Sequence, residues 1–233
     1  MIWSWIPSNA GLIRQLTLEN AYLGIVPALV GLVISVPLGI LCVQFRWLYP
    51  PVLAVTSALY ALPSLALFIV LIPYTGLTDT TVIIPLTLFS LCVLVPNVVD
   101  GLRSVPEPVR QAATAMGFGG FRRLARVELP LAVPIVIAGL RIALVSSISL
   151  ASLGQLIGVS SLGYLFTDGF QRNFPTEIIV GLVLVILLAL VGDFLLVSVR
   201  WLLTPWQRGR SRRATAEPIP AAQPPNPVWG AVG

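Results

Sequence analysis

Hydrophobic residues are gathered into long stretches that alternate with shorter polar segments along the chain. A helix needs about 20 predominantly apolar residues to cross the hydrocarbon core of a bilayer, which is roughly 30 Å thick. Five stretches reach or approach that length. The predicted spans are about 22–45, 52–72, 82–99, 131–153 and 178–203. The pattern therefore predicts an all-α integral membrane protein with five transmembrane helices.

Composition excludes the main alternative, a very apolar soluble domain. The 233 residues are 57% hydrophobic and 10% charged, and the mean hydropathy is +0.94. A soluble chain of this length would need more polar residues to cover its surface.

Two residue types are absent from the sequence, since there is no histidine and all 14 basic residues are arginine. Without histidine, the commonest general base near neutral pH and the commonest metal ligand are missing. Without lysine, a Walker A phosphate loop cannot form. Cys42 and Cys92 lie in apolar stretches without metal-site spacing. We therefore expect no catalytic, metal or cofactor site in this chain, and any nucleotide must bind to another subunit.

The arginines predict how the chain is oriented. Cytoplasmic segments of membrane proteins carry an excess of positive charge. If the amino terminus is outside, the inner segments hold Arg46, Arg103, Arg110, Arg122, Arg123, Arg126, Arg200, Arg208, Arg210, Arg212 and Arg213. The outer segments then hold only Arg14 and Arg172. We expect a multi-pass cell-membrane protein whose amino terminus is outside and whose 100–130 loop and carboxyl terminus are cytoplasmic.

The chain divides into a membrane domain, 1–206, and a tail, 207–233. The tail begins with an arginine cluster and continues as an Ala/Pro-rich segment, so we expect it to be disordered and cytoplasmic, with the arginines near anionic lipid headgroups. The outer segment 154–177 is rich in glycine and aromatic residues. It predicts a short helix at the outer face, either a spacer between spans or a docking surface for an external partner.

The inner loop at 100–130 has the composition of two short helices joined by a hinge. Residues 111–116 favour a helix, Gly117 is typical of a helix end, and an apolar face resumes from Phe121. Pro130 suits the first turn of the next helix. Physical chemistry alone is compatible with two interpretations: a docking surface for another protein, or an amphipathic loop folded on the inner leaflet.

The spacing in this loop resembles the EAA loop of ABC importer permeases, which is Glu-Ala-Ala, three residues, Gly, nine residues, then Ile-x-Leu-Pro. The corresponding positions here are Gln111, Ala112, Ala113, Gly117, Val127, Leu129 and Pro130. Gln replaces Glu at the first position, so this version of the contact with the ATPase is uncharged.

The resemblance extends from about Leu16 to Leu203 and is strongest to permeases for quaternary-ammonium osmoprotectants such as glycine betaine, carnitine and choline. It rests on ALPSLALF at 61–68, VPEPVRQAATAMGF at 105–118, ELPLAVPIVIAGLRIA at 128–143 and LIGVSSLG at 156–163. The resemblance implies a type I ABC importer permease core. It implies as partners a cytoplasmic ATPase dimer that binds ATP, a second permease copy or a homologous permease, and an extracytoplasmic substrate-binding protein. Lipid surrounds the chain, and nucleic acid is not expected as a partner.

Three other classes of protein are alternatives. An ABC permease for another small polar solute, such as an amino acid, fits the same motifs. An ion-coupled secondary transporter usually has inverted repeats and carboxylates at the membrane midplane. A membrane-embedded enzyme is disfavoured by the missing histidine.

Arg141 and Asp193 are ionisable residues within predicted spans, where charge is expensive unless it has a partner. Arg141 lies eleven positions after Pro130, and Asp193 lies eleven before Thr204. Each is therefore roughly 16 Å from the cytoplasmic boundary, given the helical rise per residue. We expect an ion pair between the fourth and fifth spans, and its position favours a packing lock over a role in substrate binding.

Pro37, Pro63 and Pro134 are expected to interrupt the first, second and fourth spans. Pro63 and Ser64 lie near the middle of the second span and are the candidates for the translocation pathway, although prolines are also common in membrane helices that have no such role. Tyr60, Phe68 and Tyr74 are not expected to converge into an aromatic cage for a cation.

Overall fold

The structure is a computed structural model that describes residues 5–204. This part of the chain is built from helices, which confirms the predicted all-α class. The helices are α1 (Trp5–Ser8), α2 (Ala10–Gln44), α3 (Tyr49–Ala61), α4 (Ser64–Thr75), α5 (Asp79–Arg103), α6 (Glu107–Ala115), α7 (Gly120–Arg123), α8 (Leu129–Ala151), α9 (Gly163–Gln171) and α10 (Pro175–Leu203). A π-helical turn, Leu124–Glu128, precedes α8, and a 3-10 helix, Ser152–Ile157, follows it. The predicted tail, 207–233, lies outside the described residues.

Four helical stretches are long and apolar enough to cross a membrane, namely α2, α5, the continuous run Gly120–Ile157, and α10. The pair α3 and α4 makes a fifth if it counts as one span. The long helices extend past the predicted spans because polar residues at their ends continue the helix. In particular, α2 begins at Ala10 rather than near residue 22.

The second predicted span, 52–72, is not one continuous helix. The axes of α3 and α4 meet at 93°. Leu62 has φ −74° and ψ 138°, and Pro63 has φ −60° and ψ 124°, so both are extended. Proline disfavours the helical region for the residue before it, which explains why α3 ends there. The interruption expected at Pro63 is therefore a sharp break rather than a kink.

Pro37 and Pro134 do not interrupt their spans. Pro37 lies inside α2 and Pro134 inside α8, and both helices are continuous. The structure therefore shows no break in the helix at either of these two prolines. A proline costs a helix one hydrogen bond, and neighbouring helices compensate for that loss in membrane proteins.

The centre of the bundle is α5, which packs against α2, α3, α4 and α8. Close approach between helices depends on small residues. A methyl group built on Gly24 of α2 would lie 2.9 Å from the backbone Cα of Ile148 in α8. Ser90 of α5 and Ser147 of α8 share a hydrogen bond of 3.2 Å in the interior. Small residues and buried hydroxyls are typical of helix packing inside membranes.

At the end of the bundle that we expect to be outside, α9 is the short helix predicted for 154–177. Buried Asn20 links this region to the core. Its amide donates to the carbonyl of Ile148 at 3.1 Å, and its side-chain oxygen accepts from the N–H of Leu162 at 3.3 Å. One side chain therefore joins α2, α8 and the segment that leads into α9. Because the predicted span began at residue 22, Asn20 was not a candidate from the sequence.

Candidate functional site

The first half of the 100–130 loop is the helix α6, and Gly117 closes it. Gly117 has φ +82°, in the left-handed region that favours glycine. Its N–H donates to the carbonyl of Thr114 at 2.9 Å, and the N–H of Phe118 donates to that of Ala113 at 3.1 Å. These bonds satisfy carbonyls at the helix end, as left-handed caps do. A methyl group on Gly117 would meet no atom within 4 Å, so the backbone conformation rather than space calls for glycine here.

The second half of the loop differs from the predicted short separate helix. Helix α7, the π-helical turn, α8 and the 3-10 helix that follows form one uninterrupted run from Gly120 to Ile157. The N–H of Leu129 donates to Leu124, five residues back. Pro130 follows at the start of α8, where its missing N–H is tolerated. Pro130 thus lies in the first turn of α8 without separating that helix from the loop.

The motif positions divide into an exposed group and a packed group. Gln111, Ala112 and Gly117 are exposed, and Ala113 is buried. Val127, Leu129 and Pro130 are half-buried at the start of α8. Two large apolar side chains beside the exposed group also face solvent, Met116 with 70% and Phe121 with 84% of its surface exposed. Exposed apolar side chains beside small alanines are features of a protein-docking surface.

Behind this surface lies a cluster of three charged side chains, which we call the Glu128 cluster: Arg110, Arg123 and Glu128. The Nε of Arg123 donates to Glu128 Oε1 at 2.9 Å, and Nη2 of Arg110 lies 3.8 Å from Glu128 Oε2. Glu128 is not among the site residues predicted from the sequence. The sequence feature that could have identified Glu128 is its position, since it is a single carboxylate between an arginine-rich segment and an apolar span.

The structure brings Arg141 and Asp193 together between α8 and α10. Nε of Arg141 donates to one carboxylate oxygen at 2.6 Å, and Nη2 donates to the other at 2.7 Å. Each side chain keeps about a third of its surface exposed, 32% and 29%. Parallel paired hydrogen bonds of this kind are the strongest arginine–carboxylate geometry.

Pro63 and Ser64 lie at the break between α3 and α4, where Pro63 is exposed and Ser64 is half-buried. Near the end of α3, a cavity of about 230 Å³ is lined by Ser57, Tyr60, Cys92 and Val93. The ring of Tyr60 packs edge-on against Phe89 with centroids 6.0 Å apart. Phe68 is fully buried, whereas Tyr74 is 87% exposed.

A metal site is not found in the part of the chain that the structure describes. Across residues 5–204, no group of three or more Cys, Asp or Glu side chains could hold an ion.

Residues 31–208 match the family described as the inner membrane component of binding-protein-dependent transport systems. The chain is 34% identical over 202 residues to the osmoprotectant import permease protein OsmW of Salmonella typhimurium, covering 84% of this chain and 94% of that protein. It is 31% identical over 215 residues to the glycine betaine/carnitine/choline transport system permease protein OpuCD of Bacillus subtilis, covering 92% of this chain and 94% of that protein. It is 36% identical over 180 residues to the choline transport system permease protein OpuBD of the same organism, covering 77% and 80%.

The fold is similar to that of a chain in the inward-facing MetNI methionine ABC transporter. The TM-score is 0.67 at 23% sequence identity, covering 85% of this chain and 99% of that chain. At this identity the likeness concerns the fold alone.

The family match covers most of the described helices, from residue 31 within α2 to the end of α10. Permeases of this family work with a separate ATPase and a binding protein and are not themselves ATPases. The chain is therefore a multi-pass inner-membrane permease of an ABC importer and belongs to the family of binding-protein-dependent transport system inner membrane components.

Proposed function

We propose that the chain forms the membrane pathway for a small compatible solute, a quaternary ammonium osmoprotectant such as glycine betaine, choline or carnitine. One observation carries the proposal: relatives named for these solutes match the chain over most of its length. Family membership sets aside the ion-coupled transporter and the membrane-embedded enzyme considered from the sequence. The alternative is a permease of the same family that transports an amino acid, and such transport would overturn the substrate assignment.

In this proposal, ATP binds to a cytoplasmic ATPase dimer that docks on the 100–130 loop. The exposed side of that loop, with Gln111 and Ala112 beside the Gly117 turn, supports this role. The positive charge of the loop supports a cytoplasmic location for it, with the amino terminus outside. A second permease copy or a homologous permease completes the pathway, and an external binding protein delivers the solute.

The pathway itself is proposed to pass the break between α3 and α4. A helix break frees backbone carbonyls, and such carbonyls are tolerated at membrane depth where they line a cavity. Pro63 and Ser64 are at this break, and the cavity beside Tyr60 lies near it. Aromatic rings attract quaternary ammonium groups, and Tyr60 is 58% exposed.

The test is reconstitution of the permease with its ATPase and binding protein in lipid vesicles. We expect ATP-dependent uptake of radiolabelled glycine betaine, choline or carnitine, and faster ATP hydrolysis when the loaded binding protein is added. Uptake of an amino acid instead would overturn the substrate assignment.

For the pathway, a thiol reagent should label Ser64→Cys in a cysteine-free background, and excess solute should protect it. The matched control is Ser198→Cys, which lies on α10 far from the break along the chain. Equal labelling of both positions, without protection, would contradict the pathway assignment.

A further inference from the structure

Glu128 is a carboxylate with only 8% of its side-chain surface exposed, at the junction of the loop and α8. A buried carboxylate is costly unless charged partners and hydrogen bonds compensate for its lost hydration. Its partners therefore show which parts of the chain it holds together.

Those partners come from two different helices. Arg123 belongs to α7, and Arg110 belongs to α6. The two arginines extend the connection, because Arg123 Nη1 donates to Thr114 of α6 at 3.0 Å and Arg110 Nη2 donates to the carbonyl of Leu102 in α5 at 2.6 Å. One carboxylate thus joins the end of α5, both halves of the loop and the start of α8.

The π-helical turn explains how Arg123 and Glu128 meet. They are five residues apart, and in an α-helix neighbouring side chains are three or four residues apart. A π-helix bonds residues five apart, so it aligns these two side chains on one face. The unusual backbone at Leu124–Glu128 is the feature that makes this ion pair possible.

Open space lies next to the cluster. A cavity of about 670 Å³ separates it from the end of α2, with Pro37, Leu41 and Gln44 on the far side and Phe121, Leu124 and Glu128 on the near side. Arg110 of α6 and Glu128 at the start of α8 both line this cavity, so the charged contacts connect the two helices at its edge.

We infer that Glu128 is a positioning residue that transmits displacement of α6 to α8 during the transport cycle. This inference rests on the proposed docking of the ATPase at the exposed side of the loop. A partner that moves α6 pulls on Arg110 and Thr114, and the Glu128 cluster passes that movement into the continuous helix that runs to Ile157. Glu128 does not contact ATP or the solute in this mechanism.

The experiment compares Glu128→Gln with the unaltered permease in the complete reconstituted transporter. Glutamine keeps the size and loses the charge, so both arginines lose their ionic partner. We expect the ATPase still to co-purify, while solute molecules imported per ATP hydrolysed fall roughly tenfold, within the usual range of coupling between sites. Arg123→Gln should act in the same direction, and the double variant should be no worse than Glu128→Gln alone.

The control is Arg46→Gln, an exposed arginine at the same end of the bundle and outside the cluster. Arg46→Gln should leave the number of solute molecules imported per ATP hydrolysed unchanged. A normal ratio in Glu128→Gln overturns the inference while leaving the proposed function intact. If the unaltered permease shows no ATP-dependent uptake of these solutes, the proposed function fails instead. If Glu128→Gln fails to fold, Arg110→Gln and Arg123→Gln test the inference instead. A normal number of solute molecules imported per ATP hydrolysed in both variants overturns the inference.

Discussion

Arg141 and Asp193 face each other across α8 and α10 in a paired hydrogen bond, with both distances below 2.8 Å. The pair joins two helices that are 52 residues apart along the chain at this point. Both side chains lie within predicted spans, where an unpaired charge is strongly disfavoured. The geometry supports a structural role, in which each charge is kept in the membrane by the other.

The first prediction concerns this pair. Arg141→Ala or Asp193→Ala alone leaves one charge without its partner, and we expect each to reduce the free energy of unfolding by about 2 kcal/mol, the scale of a hydrogen bond to a charged group. The double alanine variant should be more stable than the sum of the two losses predicts. Unfolding in mixed detergent micelles, or steric trapping in bicelles, measures the four variants of the cycle.

The ion pair of Arg172 and Asp168 is the matched control. It joins residues four apart on α9 and its loop, and the Arg172 side chain is 64% exposed. Exposed pairs contribute at most about 1 kcal/mol, so Arg172→Ala should change stability little. An Arg141→Ala variant as stable as Arg172→Ala would show that the intramembrane pair is not a lock.

The second prediction uses two glycines in the same helix. An alanine at Gly24 would put its methyl group 2.6 Å from the Ile148 side chain and 2.9 Å from its Cα. The Ile148 backbone cannot move away from this methyl group without separating α2 from α8. We therefore expect a loss of about 1–3 kcal/mol of stability. Gly11 has no atom within 4 Å of the same position, so Gly11→Ala should be neutral or stabilising. Thermal unfolding in detergent distinguishes them, and equal melting temperatures would contradict the packing described.

The third prediction concerns Asn20. Replacing it with alanine leaves the N–H of Leu162 without its partner in a buried setting, at a cost of about 1–3 kcal/mol. Amide hydrogen exchange at Leu162 and along the start of α9 should therefore speed up by roughly tenfold or more. Gln15→Ala is the control, because Gln15 bonds to Glu19 on the exposed side of α2. Unchanged exchange at Leu162 in Asn20→Ala would exclude a linking role for the amide.

The features that could be predicted correctly from the sequence are those that a single physical rule determines. Apolar length predicted helices at the spans, and equal distance from the span ends predicted Arg141 beside Asp193. The Gly117 turn followed from the known preference of helix ends for glycine. Each of these is a local property or a simple count along a helix.

The remaining features depend on contacts that the sequence does not display. Pro37, Pro63 and Pro134 look alike in the sequence, yet only Pro63 breaks its span. Leu62 is extended before Pro63, whereas Pro37 and Pro134 stay helical inside long packed helices. The contacts of Glu128 were not predicted because they depend on a π-helical turn, which changes the side chains that are neighbours on the helix.

The fourth prediction tests the proposed orientation. Met116 and Phe170 are similarly exposed, at 70% and 77%, and lie at opposite ends of the bundle. In a background without Cys42 and Cys92, a membrane-impermeant maleimide added to intact cells should label Phe170→Cys. Met116→Cys should react only after the membrane is opened, because the proposed orientation puts the arginine-rich loop in the cytoplasm. The reverse pattern would invert the topology and remove the loop from contact with a cytoplasmic ATPase.

The fifth prediction returns to the turn at Gly117. A valine at φ +82° is strained by about 1–2 kcal/mol, and β-branched residues tolerate this region least. We expect Gly117→Val to open the hydrogen bonds at the end of α6 and to displace its exposed side without unfolding the spans. Solute uptake should fall while ATP hydrolysis by the assembled transporter continues.

The control for this variant is Gly119→Val, two residues further along the same loop. Gly119 has φ −65° and no atom within 4 Å of an added methyl group, so valine fits there with an ordinary backbone conformation. A general effect of bulk in the loop would impair both variants equally. A loss confined to Gly117→Val would show that the left-handed turn orients α6 for its partner. Normal uptake by Gly117→Val would count against the loop as the coupling element, since its docking side would then tolerate reorientation.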